Sequence, residues 1–554
     1  MYKLLTRFCN ILIIICLYSC SAKKDSKSYK IFRYNQNDGL TTLDPAFAKD
    51  MPNMFATNQL YNGLVELDKQ MKVTGSLAES WEISEDGKMY TFHLKKDIKF
   101  HDSEVFEGNK GRILEASDVV FSFKRIIDTL TASPGAWIFN DKVLRDTQGK
   151  FSDTCFKAID SQTVRIYLAK PFPPFLQLLA MPYGFVIPHE AIEKYGKEFR
   201  IHPVGTGPFQ FKLWEENNAL ILNKNPNYWK KDSSGLQLPY LDIVHVSFIG
   251  DRNVAFMTFR QKKFDFISGL DENSRDIIFN YDGSIKKEFS DKYDVQKIPY
   301  LNTEYFSINV DASTYEDKNH PLLNKKVRQA LNYAINKEQM VQFILNNVGQ
   351  PGNSGFVPPI LYPNAQSILG FKYDQQKALN LLKEAGYSKD KSVKGLKLYT
   401  VARFPYKEIA EFIQREWAKL GIKTEIEINP FATHLQLSSN SKLPMFRSSW
   451  QGDYPDPENY LTLFYSPSFS PGGPNRTHFK NEKFDQLYEQ AQLEQDPEKR
   501  NAIYKQMDAI VIEEAPVIVL WYDEVVRLTQ KNVKGLGANA MNNLVLEKVD
   551  IVKE

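Results

Sequence analysis

The chain has 554 residues, 42% of them hydrophobic and 25% charged, and its 70 basic and 67 acidic residues leave a formal charge of +3. That balance gives no sign of a nucleic-acid partner, and the length exceeds the roughly 250 to 300 residues at which a single core stops growing, so two or more lobes are expected. Aromatic residues at 13% suit an aromatic-lined cleft, although a large core uses them too.

In chain order, Lys3 and Arg7 precede an apolar run from Phe8 to Leu17, and Ser19 leads to Cys20. The run is too short to span a bilayer stably and has the proportions of a signal peptide. Leu17-Tyr18-Ser19-Cys20 resembles a bacterial lipobox, whose cysteine carries lipid. The alternatives are a plain secretory signal or a single anchoring helix. The charged tract 21–30 reads as an extended tether. Of the four cysteines, only Cys155 then remains, which permits no internal disulfide and suits a small buried apolar group. No other apolar run is long enough to cross a membrane, so the body is expected outside the cytoplasmic membrane, lipid-anchored in a periplasmic space or at the cell surface.

A short strand-like run lies between Tyr29 and about Gly75, YTFHL reads as a strand, and ASDVVFSFKRIID as a helix with Ser117 as its cap. Between 201 and 250, GTGPFQF, ALILNK and LDIVHVSFI are strand-like stretches parted by Asn, Pro and Gly. Asn324 caps a helix carrying Val327, Leu331, Ala334 and Ile335, and Asn336 with Gln339 opens the next. Asp374 starts a third, stopped by Gly386. LKLYTVARF, KEIAEFIQREWAKL and IKTEIEI form a strand–helix–strand crossover, which predicts a parallel sheet. PMFRSSW reads as a further strand ending near Trp450, and ligands bind beyond such strand ends. Arg447, Trp450 and Asp453 are therefore expected to face a cleft.

Asp456 before Pro457 makes a helix start. Asp453 has no such employment: it is either an ammonium holder or a solvated loop residue, and Gly452 beside it allows close approach. Arg447 offers a fork for a carboxylate. Two uses are open to it, a ligand terminus or an acid of a neighbouring domain. Among enzyme signatures, there is no HExxH, GxSxG, Walker A or dinucleotide fingerprint, and the eight histidines show no ligand-like pairing. The reading is therefore not an enzyme, with no cofactor and no metal.

TTLDPA, LYNGLVEL, SLAESWEISEDGKMYTFHL, GTGPFQF, NPNYW, NKKVRQALNYAINKE, ALNLLKEAGY, WAKLGIKTEI and WQGDYPDPENYL together resemble the peptide-binding proteins of ABC importers, solute-binding protein family 5, over about residues 31 to 548. The resemblance implies an α/β, periplasmic-binding-protein-like two-lobe fold of type II, three-domain cluster C. Domain I would comprise 31–61, 191–300 and 515–554, domain II 62–190 and domain III 301–514, with hinges near 300 and 515. It implies a short peptide ligand, an ABC permease as partner, a membrane contact through the N-terminal lipid, and a monomer. In the family the acid matching Asp453 holds the ligand's amino terminus, Trp450 and Phe431 match pocket positions, and Arg447 matches a residue for the carboxyl terminus. Gly452 and Tyr454 belong to the same motif, and Met51 lies in an expected contact strand, Ala48 to Pro52. A second family arginine falls near Ser438 and a family histidine near Tyr406. A receptor for another solute, such as a nickel chelate, haem or oligosaccharide, and an exported hydrolase are the alternatives.

Overall fold

Strand Ile31–Asn35 pairs in parallel with Ile243–Ser247, and from this pair a mixed sheet of eleven strands extends in both directions. On one side lie Ala219–Lys224 and Phe209–Glu215, an antiparallel hairpin. On the other come Phe266–Ser268, then two long strands, Val517–Gln530 and Tyr293–Ile308, and finally Met445–Gln451, Leu396–Val401 and Thr424–Asn429, while the short Gln350–Pro351 pairs with Val517–Gln530 off this path. The structure is a computed structural model that describes residues 29–270, 272–362, 368–388 and 390–553. Cys20, the expected signal peptide and residues 21–28 lie outside the described residues.

The two long strands join one half of the molecule to the other. They pair antiparallel along almost their whole length, with the register shifting between Pro299 and Thr303. From Leu301 to Ile308 every residue is buried, because cores lie on both faces. One core gathers Phe32, Phe92, Phe123, Leu222 and Leu546. In the other half, Leu398, Trp417 and Met445 form one cluster, and Tyr460, Phe464, Tyr504 and Val519 form another.

The crossover is present: Leu396–Val401 and Thr424–Asn429 are parallel, joined by helix Tyr406–Ala418, whose Ile409, Ile413 and Trp417 are buried. Trp417 donates its indole N–H to the Leu331 carbonyl at 3.0 Å. Gly421 adopts φ +76°, a left-handed stop that a side chain would strain. The sheet as a whole is mixed and not parallel, because the strands that cross between the halves run antiparallel to their neighbours.

Two local expectations need correction. Helix Ala116–Ile127 is capped by Glu115 through a reciprocal capping box with Asp118, so Ser117 lies inside the first turn. The segment Ala48 to Pro52 is not a contact strand; helix Met51–Leu60 begins within it, because the Asp50 side chain accepts the Asn53 N–H and Pro52 suits a first turn. Asn324, Asn336 and Asp374 cap their helices as expected. Cys155 is buried and free.

Under the long strands, the Thr303 hydroxyl donates to the Phe356 carbonyl, and Asp508 accepts the N–H groups of Phe356 and Val357 at 2.6 and 3.3 Å. Asp508 is fully buried, and burial raises its carboxyl from 3.8 to about 7. A raised acid contributes stability that is complete below its unfolded value and is lost as the pH climbs through the folded one. The melting temperature of Asp508→Asn should therefore gain on that of the wild type between about pH 4 and about pH 7. A gap independent of pH would contradict this assignment.

Candidate functional site

Strand Met445–Gln451 sets Ser449 opposite Glu304, Arg447 opposite Phe306 and Trp450 opposite Thr303. Side chains alternate along a strand, so Arg447, Ser449 and Glu304 share one face while Trp450 points from the other. The expectation that Arg447 and Trp450 face one cleft fails on this parity. Trp450 packs against the second half's core and donates its indole N–H to Asn459 Oδ1 at 3.0 Å.

Arg447 is already paired. Its Nη2 reaches both oxygens of Glu304, at 2.9 and 3.1 Å, and Ser449 Oγ at 3.1 Å. The Tyr406 ring lies 3.7 Å from its guanidinium carbon, and the Tyr406 hydroxyl donates to Glu304 at 3.3 Å. The side chains are 11% and 5% exposed, so the pair is screened little by solvent. Asn302 donates to Glu304 at 3.2 Å and to Asp523 at 2.5 Å, which brings a second buried carboxylate alongside. Burial is the main reason that the Glu304 carboxyl rises to about 7, with Arg447 pulling the other way. Arg447 is paired through Nη2 with an acid of its own expected domain, neither of the two uses that the sequence left open, while its Nε is buried without a hydrogen-bond partner among the described residues.

Asp453 presents the opposite case. The turn before it is anchored on the long strand: the Gly452 N–H donates to the Leu301 carbonyl at 2.7 Å, and so does the Tyr460 hydroxyl at 2.8 Å. Gly452 is needed because a Cβ there would lie 2.8 Å from that hydroxyl. Buried Asn459 accepts the Asp453 N–H at 3.1 Å and turns its amide toward the carboxylate at 3.5 Å. Asp456 accepts the Glu458 N–H and starts the helical turn that carries Asn459. Asp453 is therefore held by a neighbour without being neutralised: among the described residues no cation pairs with its carboxylate, and crowding by the protein raises its pKa.

The carboxylate lines a cavity of about 610 Å³ between the two halves. Gln451, Gly452 and Asp453 form one wall, and Lys49, Asp50, Met51 and Met54 face them. Asp38, Met181 and Met541 complete a lining with three carboxylates, one ammonium and four thioethers. Three expected contacts are elsewhere. Tyr454 is buried, bonds Glu458 and stacks on Trp137 across the junction, 6.4 Å between rings, so it ties the halves together. Phe431 is 58% exposed at the start of its helix and does not line the cavity. Trp450 supports the turn from behind through Asn459.

Two other charged clusters are self-contained. Lys230 bridges Glu66 and Glu547 at 2.7 and 3.1 Å beside a second cavity of about 580 Å³. Arg112 donates to both Asp118 and Glu190, filling with a guanidinium the space between those carboxylates and His189. Among the described residues no helix is long and apolar enough to cross a membrane.

Residues 72–472 match the family described as bacterial extracellular solute-binding proteins, family 5 middle region. The chain belongs to that family. It is 30% identical over 507 residues to the dipeptide-binding protein of Escherichia coli K12, covering 89% of each chain. Against the glutathione-binding protein GsiB of Shigella dysenteriae it is 30% identical over 521 residues, 92% of each. The periplasmic binding protein DppA of Helicobacter pylori, solved with the peptide STSA, superposes with a TM-score of 0.72 at 28% identity over 94% of this chain and 98% of that one. Within this family 5 chain, Asn459, Glu304 and the lining residues Asp38, Met54, Met181 and Met541 are not picked out by the sequence. Asn459 stands six residues beyond Asp453 and was readable as a helix-borne partner for the turn. Glu304 is 143 residues from Arg447 and had no local signal.

An ion pair this well buried is costly to break from one side. Arg447→Ala and Glu304→Gln should each lower stability, by up to roughly 3 to 5 kcal/mol at about pH 8, because each leaves one buried charge without its partner. Thermal or urea melting checks the losses. No loss in either variant would show the pair to be energetically idle.

Proposed function

We propose that this protein is an extracytoplasmic receptor that captures short peptides between its two lobes and delivers them to an ABC import permease. One observation carries the reading: Asp453, positioned by Asn459 and without a cationic partner among the described residues, opens into a cavity walled by both halves. A peptide's ammonium supplies the missing charge, and a charge-assisted hydrogen bond in a partly dry recess is among the strong polar contacts. The similarity to a dipeptide-binding and a glutathione-binding protein agrees with a ligand of that size.

Closure follows from the same geometry. A ligand held by Asp453 touches Met51 and Met54 of the opposite half, and contacts made only when the halves are together shift the population toward the closed form. The register shift at Pro299 to Thr303 is where the linking strands would absorb the motion. Four methionines give the wall a soft, adaptable surface that suits side chains of differing shape. In this reading Cys20 carries the lipid that keeps the receptor at the membrane, residues 31–61, 191–300 and 515–554 form domain I, and the protein is monomeric and not an enzyme.

Calorimetry with short free-amine peptides tests the proposal. Asp453→Asn should weaken binding by about 2 kcal/mol or more, roughly 30-fold, as should N-acetylation of the peptide against the wild type. Unchanged affinity in both experiments would remove the amine clamp. A co-purified ligand lacking a free amine would point to another solute.

A further inference from the structure

The apolar part of the cavity that holds Asp453 is built almost entirely from one residue type. Met51, Met54, Met181 and Met541 line it, and the only other bulky apolar residue in the lining is Pro52. The lining is 14 residues of 554 and the chain has 11 methionines, so an even spread would put fewer than one there. Met51 and Met54 stand three apart on helix Met51–Leu60 and so share a face. Met181 follows helix Phe175–Leu179, and Met541 lies in the C-terminal segment. Met51 and Met181 rest on the first core, whereas Met54 and Met541 are half-buried and belong to none of the core clusters of the described residues. Their thioethers are apolar surface that the fold leaves uncommitted.

The chain is 13% aromatic, yet among the described residues no Phe, Tyr or Trp lines this cavity, so the aromatic-lined cleft that the composition suited is not found here. Methionine sulfur makes favourable contacts with aromatic rings, and its unbranched chain adapts to rings of different size. A wall with four thioethers and no ring of its own leaves that contact to the ligand. The first side chain of a peptide branches from the carbon that carries the ammonium, so an ammonium at Asp453 brings that side chain into the same recess. Asp453 stands close to the wall: Tyr183, two residues beyond Met181, is buried, and after burial itself the Asp453 and then the Asp50 carboxylate help to raise its hydroxyl to about 12.

We propose that the four methionines are specificity-determining residues that read the first side chain of the peptide and favour an aromatic one. The substrate class is then short free-amine peptides that begin with Phe, Tyr or Trp. This inference rests on the peptide-receptor reading and sharpens it.

Calorimetry on the intact protein with Phe-Ala-Ala, Ala-Ala-Ala and cyclohexylalanyl-Ala-Ala tests it. The cyclohexyl ring keeps the six-membered outline and the apolar character of Phe but has no π-system, so it separates ring recognition from plain burial. The wild type should bind the Phe peptide about tenfold or more tighter than the Ala peptide, and at least as tightly as the cyclohexyl peptide. In the double variant Met54→Leu with Met541→Leu, which keeps the apolar bulk and removes two sulfurs, the preference for Phe over cyclohexyl should fall by about threefold or more. A smaller gain of Phe over Ala would overturn the inference, as would tighter wild-type binding of the cyclohexyl peptide or a smaller change in the double variant. If Ala-Ala-Ala binds and Phe-Ala-Ala gains nothing over it, this inference alone fails. If none of the three peptides binds, the peptide reading fails and takes this inference with it. Should the variant not fold, the three wild-type affinities decide alone.

Discussion

The hydrogen-bonded ladder between Tyr293–Ile308 and Val517–Gln530 is the constraint on which the site depends. It is the covalent and sheet connection between two separately packed halves, and it also supplies the fixed points of the binding apparatus. Leu301 holds the turn at Gly452 through its carbonyl, Glu304 holds Arg447, and Asn302 joins Glu304 to Asp523. A shift of one residue in the register of Met445–Gln451 against Tyr293–Ile308 would turn Glu304 away from Arg447. Site geometry and lobe connection are therefore specified by one structural element.

Against that frame, the two charges of the Met445–Asp453 stretch meet opposite fates. Arg447 lies in the middle of a strand, where burial on both sides requires that a charge be paired, and it is paired. Asp453 lies just beyond the strand end, where the chain turns into the space between the halves. There the carboxylate stands without a cation among the described residues, and a bound ammonium would supply one. The difference comes from position along one short segment and not from residue type.

Much of this architecture was legible in the sequence. Helices with a clear apolar stripe and an Asn or Asp cap were readable, as was the crossover ending at Gly421, because each depends on contacts within a few residues. Helix Met51–Leu60 escaped notice because it is buried on most sides and lacks a polar face, although Asp50 and Pro52 announced its start. The opposite facing of Arg447 and Trp450 could have been read from strand parity alone. Glu304 is different: its pairing with Arg447 is set by strand order in the sheet, which no local pattern encodes. The loop glycine was rightly suspected of permitting close approach, but it is the Tyr460 ring that needs the room.

The central claim is that Asp453 receives a ligand ammonium. The pKa of a carboxyl raised by burial must fall when a cation arrives, so binding at acidic pH should expel a proton. Calorimetric titration with a free-amine dipeptide in two buffers of different ionisation enthalpy measures that release. The account predicts proton release by the wild type that disappears in Asp453→Asn. Peptide binding without proton release, or with the same release in the variant, would contradict it.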